Sequence, residues 1–298
     1  MNGNEPVIKE FRANNGQVGG RFEGVPLLLL TTRGRRTGKP HTTPAVYLRD
    51  GDRYLVFGSN GGDPEHPHWF RNLVAAPAVT LELGTAEGRV KPFAARAVVL
   101  EGEERDRHYE RQCALDPAFR EYRRRAAARV IPVVALQLLD LAADGERNVL
   151  IGRQLLIHHE ELRAELAEVR AAVDEAAKGG GSVVRSAPPG LSRQLRRRCL
   201  DFCYGLQLHH TREDGVFTAF EARFPHLVPA VTRLREEHAV VERALARLAD
   251  LLEMGPAADP GGPAALKAEL DRVIDGLEEH FAYEEEHLLP ALGLPRPA

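Results

Sequence analysis

The chain has 298 residues, of which 43% are hydrophobic and 28% are charged, and its formal net charge is −3. This length exceeds that of a typical single domain and is sufficient for two, and the composition is typical of a soluble globular protein. The small net charge gives no reason to expect nucleic acid or an anionic membrane as a partner.

The sequence also argues against a secretory signal, a membrane-spanning segment and a disulfide framework. The opening residues MNGNEPVIKEFRANNG lack the apolar segment of a secretory signal, and no apolar run reaches the length of a membrane span. The three cysteines are an odd number and form no CxxC pair, which argues against a disulfide framework. We therefore expect a cytoplasmic protein with no integral membrane segment.

Up to about Leu139 the chain alternates short strand-like and helical segments. The strand-like segments are PLLLLTT, TTPAVYL, YLVFGS, AVTLELG, VKPFAARAVVL and RVIPVVAL. The helical segments between them are EHPHWFRNLVAA, GEERDRHYERQCAL and PAFREYRRRAA. Short strands with intercalated helices predict an antiparallel barrel with helices packed against it. We predict this domain over residues 1–139, followed by a linker over residues 140–151.

A basic turn, RGRRTGKPHTT, joins the first two strand-like segments. It supplies several backbone N–H groups and the cations Arg33, Arg35, Arg36 and Lys39, which can cradle a phosphate with arginine as a bidentate clamp. A solvated basic hairpin tip explains these residues equally well. The turn is not a P-loop, because the GxxxxGK[ST] pattern is absent.

Three segments of this half, GGRFEGVPLLLLTTRGRRTGKPHTTPAVYLRDGDRYLVFGSNGG, HPHWFRNLVAAPAVTLELG and RVIPVV, resemble the deazaflavin-dependent nitroreductase family over roughly Asn15 to Val134. The resemblance implies a mainly-β split barrel with flanking helices that binds the deazaflavin coenzyme F-420. It also implies hydride transfer from the reduced coenzyme to a small-molecule electron acceptor such as a quinone or a nitro compound. Because barrels of this family are often dimeric, we expect a homodimer.

The resemblance also implies roles for particular residues. The glycine-punctuated turn would grip the phosphate and acidic tail of the coenzyme, and two later segments would lie along the deazaflavin ring. The implied cofactor-binding residues are Arg35, Arg36, Thr37, Gly38, Lys39, Thr43, Pro44, Ser59, Asn60, Gly61 and Trp69. Family nitroreductases place tyrosines around the substrate, and the catalytic candidates here are Tyr47 and Tyr122. Val46 stands where the family has the tyrosine of a Pro-x-Tyr motif, which argues against reduction of nitro drugs.

From Gly152 onward the apolar period changes to alternating steps of three and four residues, which is typical of amphipathic helices. Three segments interrupt the pattern: KGGGSVVRSAPPG, RFPHLVPA and MGPAADPGGP. Four long helices with polar connections predict an all-α up-and-down four-helix bundle over residues 152–290.

Histidine and glutamate interrupt the apolar stripe of each predicted helix. The candidate metal-binding residues are His158, His159, His209, His210, Glu213, His238, Glu242, His280 and Glu284. Three His–Glu pairs among them are four residues apart and so share a helical face. Imidazole with carboxylate suits iron, manganese or zinc. Any single histidine could be a surface or core residue, but several unpaired buried ones would be very costly, which favours a metal site.

The four segments LLIHHEELRAEL, LHHTREDGVF, LREEHAVVERAL and LEEHFAYEEEHLLPAL resemble the hemerythrin family in its bacterial HHE cation-binding form. The resemblance implies two non-haem iron ions bridged by carboxylates. Its implied ligands are His159, His209, Glu213, His238, His280 and Glu284, with His158 and His210 as alternates and His287, one heptad after His280, as a further candidate. Glu242 is added because it stands one turn from His238, where oxygen carriers have a second histidine. That departure argues against reversible oxygen transport.

Two functions are compatible with this combination of domains. In the first, a deazaflavin-dependent oxidoreductase is fused to a di-iron module. In the second, the protein senses or stores oxygen, nitric oxide or iron, and the barrel only binds a cofactor. Metal content and turnover with acceptors would distinguish the two.

Overall fold

The structure of the protein is a computed structural model that describes residues 4–141, 145–178, 189–254 and 262–296. It forms two compact units. One contains Met1–Asp140 and Thr211–Ala219, and the other contains Leu141–His210 and Phe220–Ala298. The predicted chain breaks KGGGSVVRSAPPG and MGPAADPGGP lie largely outside the described residues. Among the helices that are described, none combines the length and apolar character needed to cross a membrane.

The first unit contains short strands and short helices that alternate along the chain. In chain order they are α1 (Glu5–Ala13), β1 (Leu27–Arg33), β2 (Pro40–Asp50), β3 (Arg53–Phe57), α2 (His68–Ala75), β4 (Ala78–Gly84), β5 (Val90–Leu100), α3 (Gly102–Leu115), α4 (Ala118–Arg125) and β6 (Val133–Leu138).

The strands form a closed barrel in the order β1-β2-β3-β6-β5-β4, with every neighbouring pair antiparallel. The pairing of Leu30 with Leu81 belongs to the β1–β4 ladder that closes the barrel. Closure leaves no sheet edge exposed. The prediction of an antiparallel barrel with flanking helices is confirmed.

The run of four leucines in β1 is explained by burial on both of its faces. Leu28 and Leu30 belong to a cluster with residues of all the other strands, which is the barrel interior. Leu27 and Leu29 point the other way and pack with Phe11 of α1. Alternate side chains of a strand face opposite sides of the sheet, so a strand covered on both sides is apolar throughout. The sequence pattern did not predict α1, the short helix that provides the outer cover.

Four long helices follow the barrel: α5 (Gly145–Lys178), α6 (Pro189–Arg223), α7 (Val228–Met254) and α8 (Gly262–Leu288). They make up the second unit, except for residues 211–219 of α6, which are assigned to the first. One apolar core joins all four, with Leu166, Leu206, Leu245 and Leu277 as one member from each. The prediction of an all-α helical bundle after the barrel is confirmed. Helix α5 begins earlier than Gly152 and takes in part of the segment predicted to be linker.

The cysteines are packing residues. Cys113, Cys199 and Cys203 are free and buried. Burial raises the pKa of Cys199 to about 11 and that of Cys203 to about 12. Both thiols are therefore protonated at neutral pH and behave as small hydrophobic groups.

Candidate cofactor turns and candidate metal centre

The basic turn between β1 and β2 has a fixed backbone. Gly34 donates its N–H to the carbonyl of Lys39 at 2.7 Å, and Gly38 donates to the carbonyl of Gly34 at 2.7 Å. Gly38 is left-handed, with φ of 69°. A Cβ on Gly34 would lie 2.8 Å from side-chain atoms of His41 and Thr37, so any other residue there would force those side chains to shift.

Asn72 of α2 holds this turn against the barrel. Its Oδ1 accepts the backbone N–H of Arg35 at 3.2 Å, and its Nδ2 donates to Oγ1 of Thr32 at 3.1 Å. Asn72 is buried, whereas the side chains of Arg35 and Arg36 are exposed. Within the described part of the chain, neither of these arginines pairs with a carboxylate. Two unpaired guanidinium groups on a fixed backbone suit a phosphate or a carboxylate-rich ligand.

A second turn, Ser59 to Gly62, follows β3. Asn60, Gly61 and Gly62 are all left-handed, with φ of 49°, 62° and 85°. A Cβ on Gly62 would lie 2.7 Å from Cβ of Arg125 and 2.9 Å from the carbonyl oxygen of Tyr122. The loop therefore packs directly on α4, and this contact depends on glycine.

Arg129 is the main support of this second turn. Its guanidinium donates to the carbonyls of Gly58 at 2.9 Å, Ser59 at 2.8 Å and Asp63 at 2.7 Å. Burial lowers the pKa of Arg129 from its usual value. Arg125 adds a hydrogen bond to the carbonyl of Gly61 at 3.2 Å. Sequence reasoning missed both arginines. Arg129 is the first residue of the RVIPVV segment and Arg125 lies four residues before it, but no spacing linked either of them to this turn.

The predicted cofactor-binding residues outside the turns have different surroundings. Thr43 and Pro44 are half-buried in β2, opposite Leu30 and Leu29 of β1. Trp69 is only 8% exposed and packs in the barrel cluster. Its indole therefore offers little surface to a ligand.

The structure does not bring the two candidate catalytic tyrosines together. Tyr47 packs in the barrel cluster, with its ring edge-on to Tyr54 at 5.2 Å. Tyr122 packs in the separate cluster between the barrel and α3–α4, with its ring 5.3 Å from that of Phe119. Burial, with a smaller contribution from Tyr54, raises the pKa of Tyr47.

Seven buried histidines and glutamates form two groups in the helical bundle. One group is His210, Glu213, His238 and His280, and the other is His159, His209, Glu213 and Glu284. Within each group, one ligand atom from every residue lies within 4.8 Å of the others. The two groups share Glu213, which is the arrangement expected when one carboxylate bridges two metal ions.

The donor chemistry fits a metal pair. Nε2 of His238 lies 3.1 Å from Nε2 of His280, and Nε2 of His159 lies 3.3 Å from Oε2 of Glu284. So many imidazoles and carboxylates in one interior are costly to bury without compensation. Imidazole nitrogen with carboxylate oxygen is the ligand mixture of non-haem iron, and manganese and zinc accept it too.

Adjacent histidines of α6 belong to different groups. The sequence left His209 and His210 as alternatives, and the structure places His209 in one group and His210 in the other. Consecutive residues of a helix point about 100° apart, so the two rings reach different centres. Glu213 lies one turn further along the same helix, and both groups include it.

Three other candidates lie outside both groups. The side chain of His158 is 41% exposed, and its Nδ1 lies 3.3 Å from Glu161. His287 stacks on the ring of Tyr283 at 3.9 Å. Glu242 is exposed, and the prediction that it binds metal is not supported by its position. The buried stripe of α7 runs from Leu234 through His238 to Leu248, and Glu242 is turned roughly 80° away from the centre of that stripe.

Both halves of the chain match known families. Residues 6–137 match the family described as F420H(2)-dependent quinone reductase, and residues 151–292 match the hemerythrin HHE cation binding domain.

Curated relatives match the first half. An F420H(2)-dependent quinone reductase of Mycobacterium tuberculosis is 48% identical over 75 residues, which are 25% of this chain and 50% of the relative. A putative F420H(2)-dependent quinone reductase of the same organism is 37% identical over 87 residues, which are 29% of this chain and 69% of the relative. The chain thus spans about half the length of the first of these relatives.

A solved structure described as an F420-H2 dependent reductase is 34% identical, with 38% of this chain and 94% of the solved chain covered and a TM-score of 0.33. The family models, together with the relative that is 37% identical and 69% covered, show that the chain belongs to the F420H(2)-dependent quinone reductase family through its barrel and carries a hemerythrin HHE cation binding domain as its second half.

Proposed function

We propose that the protein is a deazaflavin-dependent oxidoreductase whose barrel uses reduced coenzyme F-420 and whose helical bundle holds two non-haem iron ions. The observation that carries the first part is the basic turn. It presents two exposed guanidinium groups, Arg35 and Arg36, that have no carboxylate partner among the described residues and stand on a backbone that Asn72 fixes. A ligand with a phosphate and an acidic tail meets the charge requirement of that turn. We propose domain limits of 1–139 and 152–290, with residues 140–151 between them.

The residues of the barrel would bind and orient the coenzyme. Arg35, Arg36 and Lys39 would hold its anionic part, and the turn supported by Arg129 would lie along the ring system. When bound, the reduced deazaflavin supplies a hydride to a quinone, a nitro compound or a similar acceptor. The hydroxyl of Tyr47 is protonated at neutral pH, burial raises its pKa further, and it would donate a hydrogen bond to the acceptor. Tyr122 would act through its backbone, which backs the second turn.

The bundle would hold one ion in each of the two groups. The proposed ligands are His210, His238 and His280 for one ion, His159, His209 and Glu284 for the other, and Glu213 between them. The first ion would then have more nitrogen ligands, and the second would have one more carboxylate of its own. The two sites are chemically unequal, so we expect the ions to bind with different affinities.

Coenzyme binding tests the proposal for the barrel. We expect the Arg36→Ala variant to bind the coenzyme at least about tenfold more weakly, because a charge-assisted contact to phosphate is lost. Binding would be measured by fluorescence titration, and turnover by the oxidation of reduced coenzyme with a quinone. Arg124→Ala is the matched control, since Arg124 is exposed and paired within its own helix with Glu121. Equal affinity in wild type and Arg36→Ala would exclude this role for the turn.

A second candidate function is a sensor or store of oxygen, nitric oxide or iron. Two complete groups of buried donors in the bundle favour it, because their ligand sets need no residue from the barrel strands. Protein that contains iron but turns over no quinone or nitro acceptor would support this function over the first. A change in the iron absorption spectrum on exposure to oxygen or nitric oxide would identify the ligand.

Location and assembly are further parts of the proposal. Three free cysteines fit a reducing compartment, and we propose the cytoplasm. We also propose a homodimer, which light scattering on the purified protein would test.

A further inference from the structure

Two glutamates next to the candidate metal-binding groups each contact one histidine of a group at Nδ1, the ring nitrogen that faces away from the other ligand atoms. Oε2 of Glu237 lies 2.8 Å from Nδ1 of His280, and Oε1 of Glu285 lies 2.7 Å from Nδ1 of His159. Neither glutamate belongs to the groups whose ligand atoms converge. One contact serves each group, since His280 and His159 are in different ones.

Both histidines turn their other ring nitrogen toward the interior. Nε2 of His280 lies 3.1 Å from Nε2 of His238, and Nε2 of His159 lies 3.3 Å from Oε2 of Glu284. A neutral imidazole has one N–H donor and one lone pair. A carboxylate can only accept, so a carboxylate at Nδ1 places the proton on Nδ1 and the lone pair on Nε2. The ligand atom therefore faces the centre of its group.

Each glutamate is itself held by an arginine. Arg233 donates to Glu237 at 2.7 Å, and Arg163 donates to Glu285 at 3.2 Å. The contacts also cross between helices, because His159 is on α5 and Glu285 on α8, whereas His280 is on α8 and Glu237 on α7. The same arrangement of arginine, glutamate and histidine thus occurs twice, once for each group.

We propose that Glu237 and Glu285 are positioning residues that fix the tautomer and orientation of His280 and His159, and so set how tightly the bundle holds its two metal ions. The proposal rests on the metal centre proposed above. Partners of this kind raise the basicity of the ligand nitrogen, and their loss typically costs 10- to 100-fold in metal affinity. Each glutamate acts on one ion, so each should affect one binding step.

Metal affinity of single variants tests the proposal. Full-length Glu237→Ala and Glu285→Ala would be titrated with ferrous ion against a chromophoric chelator under anaerobic conditions. The matched controls are Glu236→Ala and Glu286→Ala, since these glutamates are neighbours in sequence with exposed side chains. We expect each test variant to bind one of two ions about 10- to 100-fold more weakly, while both ions still bind at saturation. The controls should match the wild type.

A second readout separates positioning from general damage to the fold. Melting temperatures of the metal-free variants should match that of metal-free wild type, and only the increase on adding metal should shrink. Glu237→Gln and Glu285→Gln keep the shape and an acceptor oxygen but remove the charge, so they should lose less affinity than the alanine variants. These variants also serve if an alanine variant does not fold.

The outcomes distinguish failure of the positioning role of the glutamates from failure of the metal centre itself. Wild-type protein that binds two ions while all four test variants bind them equally tightly would overturn the positioning role and leave the metal centre intact. Wild-type protein that binds no metal would overturn the metal centre, and the positioning role with it.

Discussion

The Nε2 atoms of His238 and His280 lie 3.1 Å apart in the interior of the bundle. Glu237 occupies the other nitrogen of His280, so the facing nitrogen of that ring carries a lone pair. Two imidazoles this close need either a proton or a metal ion between them to avoid repulsion of two lone pairs. The proposed metal ion would satisfy both rings at once and would also take the nearby carboxylates, so we expect the stability of the bundle to depend on its ligand.

Removal of metal should therefore lower the stability of the bundle. At an ion concentration 100 times the dissociation constant, binding to the folded state alone contributes about 2.7 kcal/mol. We expect protein treated with a strong chelator to melt several degrees lower by circular dichroism at 222 nm, and ferrous ion to restore the transition. Identical melting curves before and after complete metal removal would contradict a structural role for the ions.

Replacement of Glu213 should affect both ions, because both groups include its carboxylate. We expect Glu213→Ala to retain less than half of the wild-type iron after desalting, measured by elemental analysis. Glu242→Ala is the control, since Glu242 is a helical glutamate with an exposed side chain. Its iron content should equal that of the wild type, and a matching loss in both variants would show that the sharing of Glu213 is irrelevant.

Loss of Arg129 should loosen the turn that follows β3. Its guanidinium donates to three backbone carbonyls of that turn, and charged donors of this kind contribute about 1.5–3 kcal/mol. We expect Arg129→Met to lower the free energy of unfolding by about 2 kcal/mol in urea and to weaken coenzyme binding. Arg124→Met removes an exposed cation from the neighbouring helix and should change stability by less than about 0.5 kcal/mol. Equal effects of the two substitutions would rule out a special role for Arg129.

Gly62 and Gly61 make a matched pair for the same turn. Both have positive φ, but a Cβ on Gly62 would meet α4 at 2.7 Å, whereas a Cβ on Gly61 would meet nothing within 4 Å. Gly61→Ala should cost about 1 kcal/mol, the penalty of the left-handed conformation alone. Gly62→Ala should cost about 3 kcal/mol, since strain and overpacking add. Urea denaturation measures both, and similar values would show that the contact with α4 is not close in solution.

The buried ring of His108 predicts a pH dependence of the barrel. Burial holds the pKa of His108 below its ordinary value, and Asp50, 3.7 Å from its Nε2, works in the opposite direction. Between that lowered pKa and about 6.5, the unfolded chain binds more protons than the folded one. The contribution of neutral His108 to the free energy of unfolding is therefore fully present above about pH 6.5. It is lost as the pH falls from there through the lowered pKa of the folded state.

The pH effect can be assigned to this residue by substitution. The drop in unfolding free energy between pH 7.5 and pH 5.5 should be smaller in His108→Gln than in the wild type. His68→Gln, which changes an exposed histidine, should keep the full drop. An unchanged pH dependence in His108→Gln would show that another group is responsible.

Much of the fold could be predicted because the spacing of apolar residues differs between strands and helices. The strand-like segments lie within or next to β1 to β6, and GEERDRHYERQCAL coincides with α3. Helix α1 was missed because it is short and its two buried residues, Ile8 and Phe11, are too few to show a period. The start of α5 was placed too late, because the polar turn residues before Gly152 hide its first turns.

The candidate site was harder to predict where it depends on side chains distant in sequence. The spacing of His209 and Glu213 placed both on one face, and both are buried. The same spacing left Glu242 exposed, because a step of four residues from His238 moves past the buried stripe of α7 on one side, and its role as a ligand stays a prediction. Arg129 supports a turn about seventy residues earlier in the chain, and no local pattern reports such a contact.

The neighbouring histidines of α6 link the sequence to the number of ions that we propose for this bundle. His209 and His210 reach different centres, and rotation of the helix cannot let one ring replace the other. On the proposed ligand assignment, a relative that keeps one of the two and replaces the other loses one ligand of one group, and we expect it to hold one ion. In the proposed centre, a single codon change in α6 would therefore convert an iron pair, which exchanges two electrons, into a one-electron site.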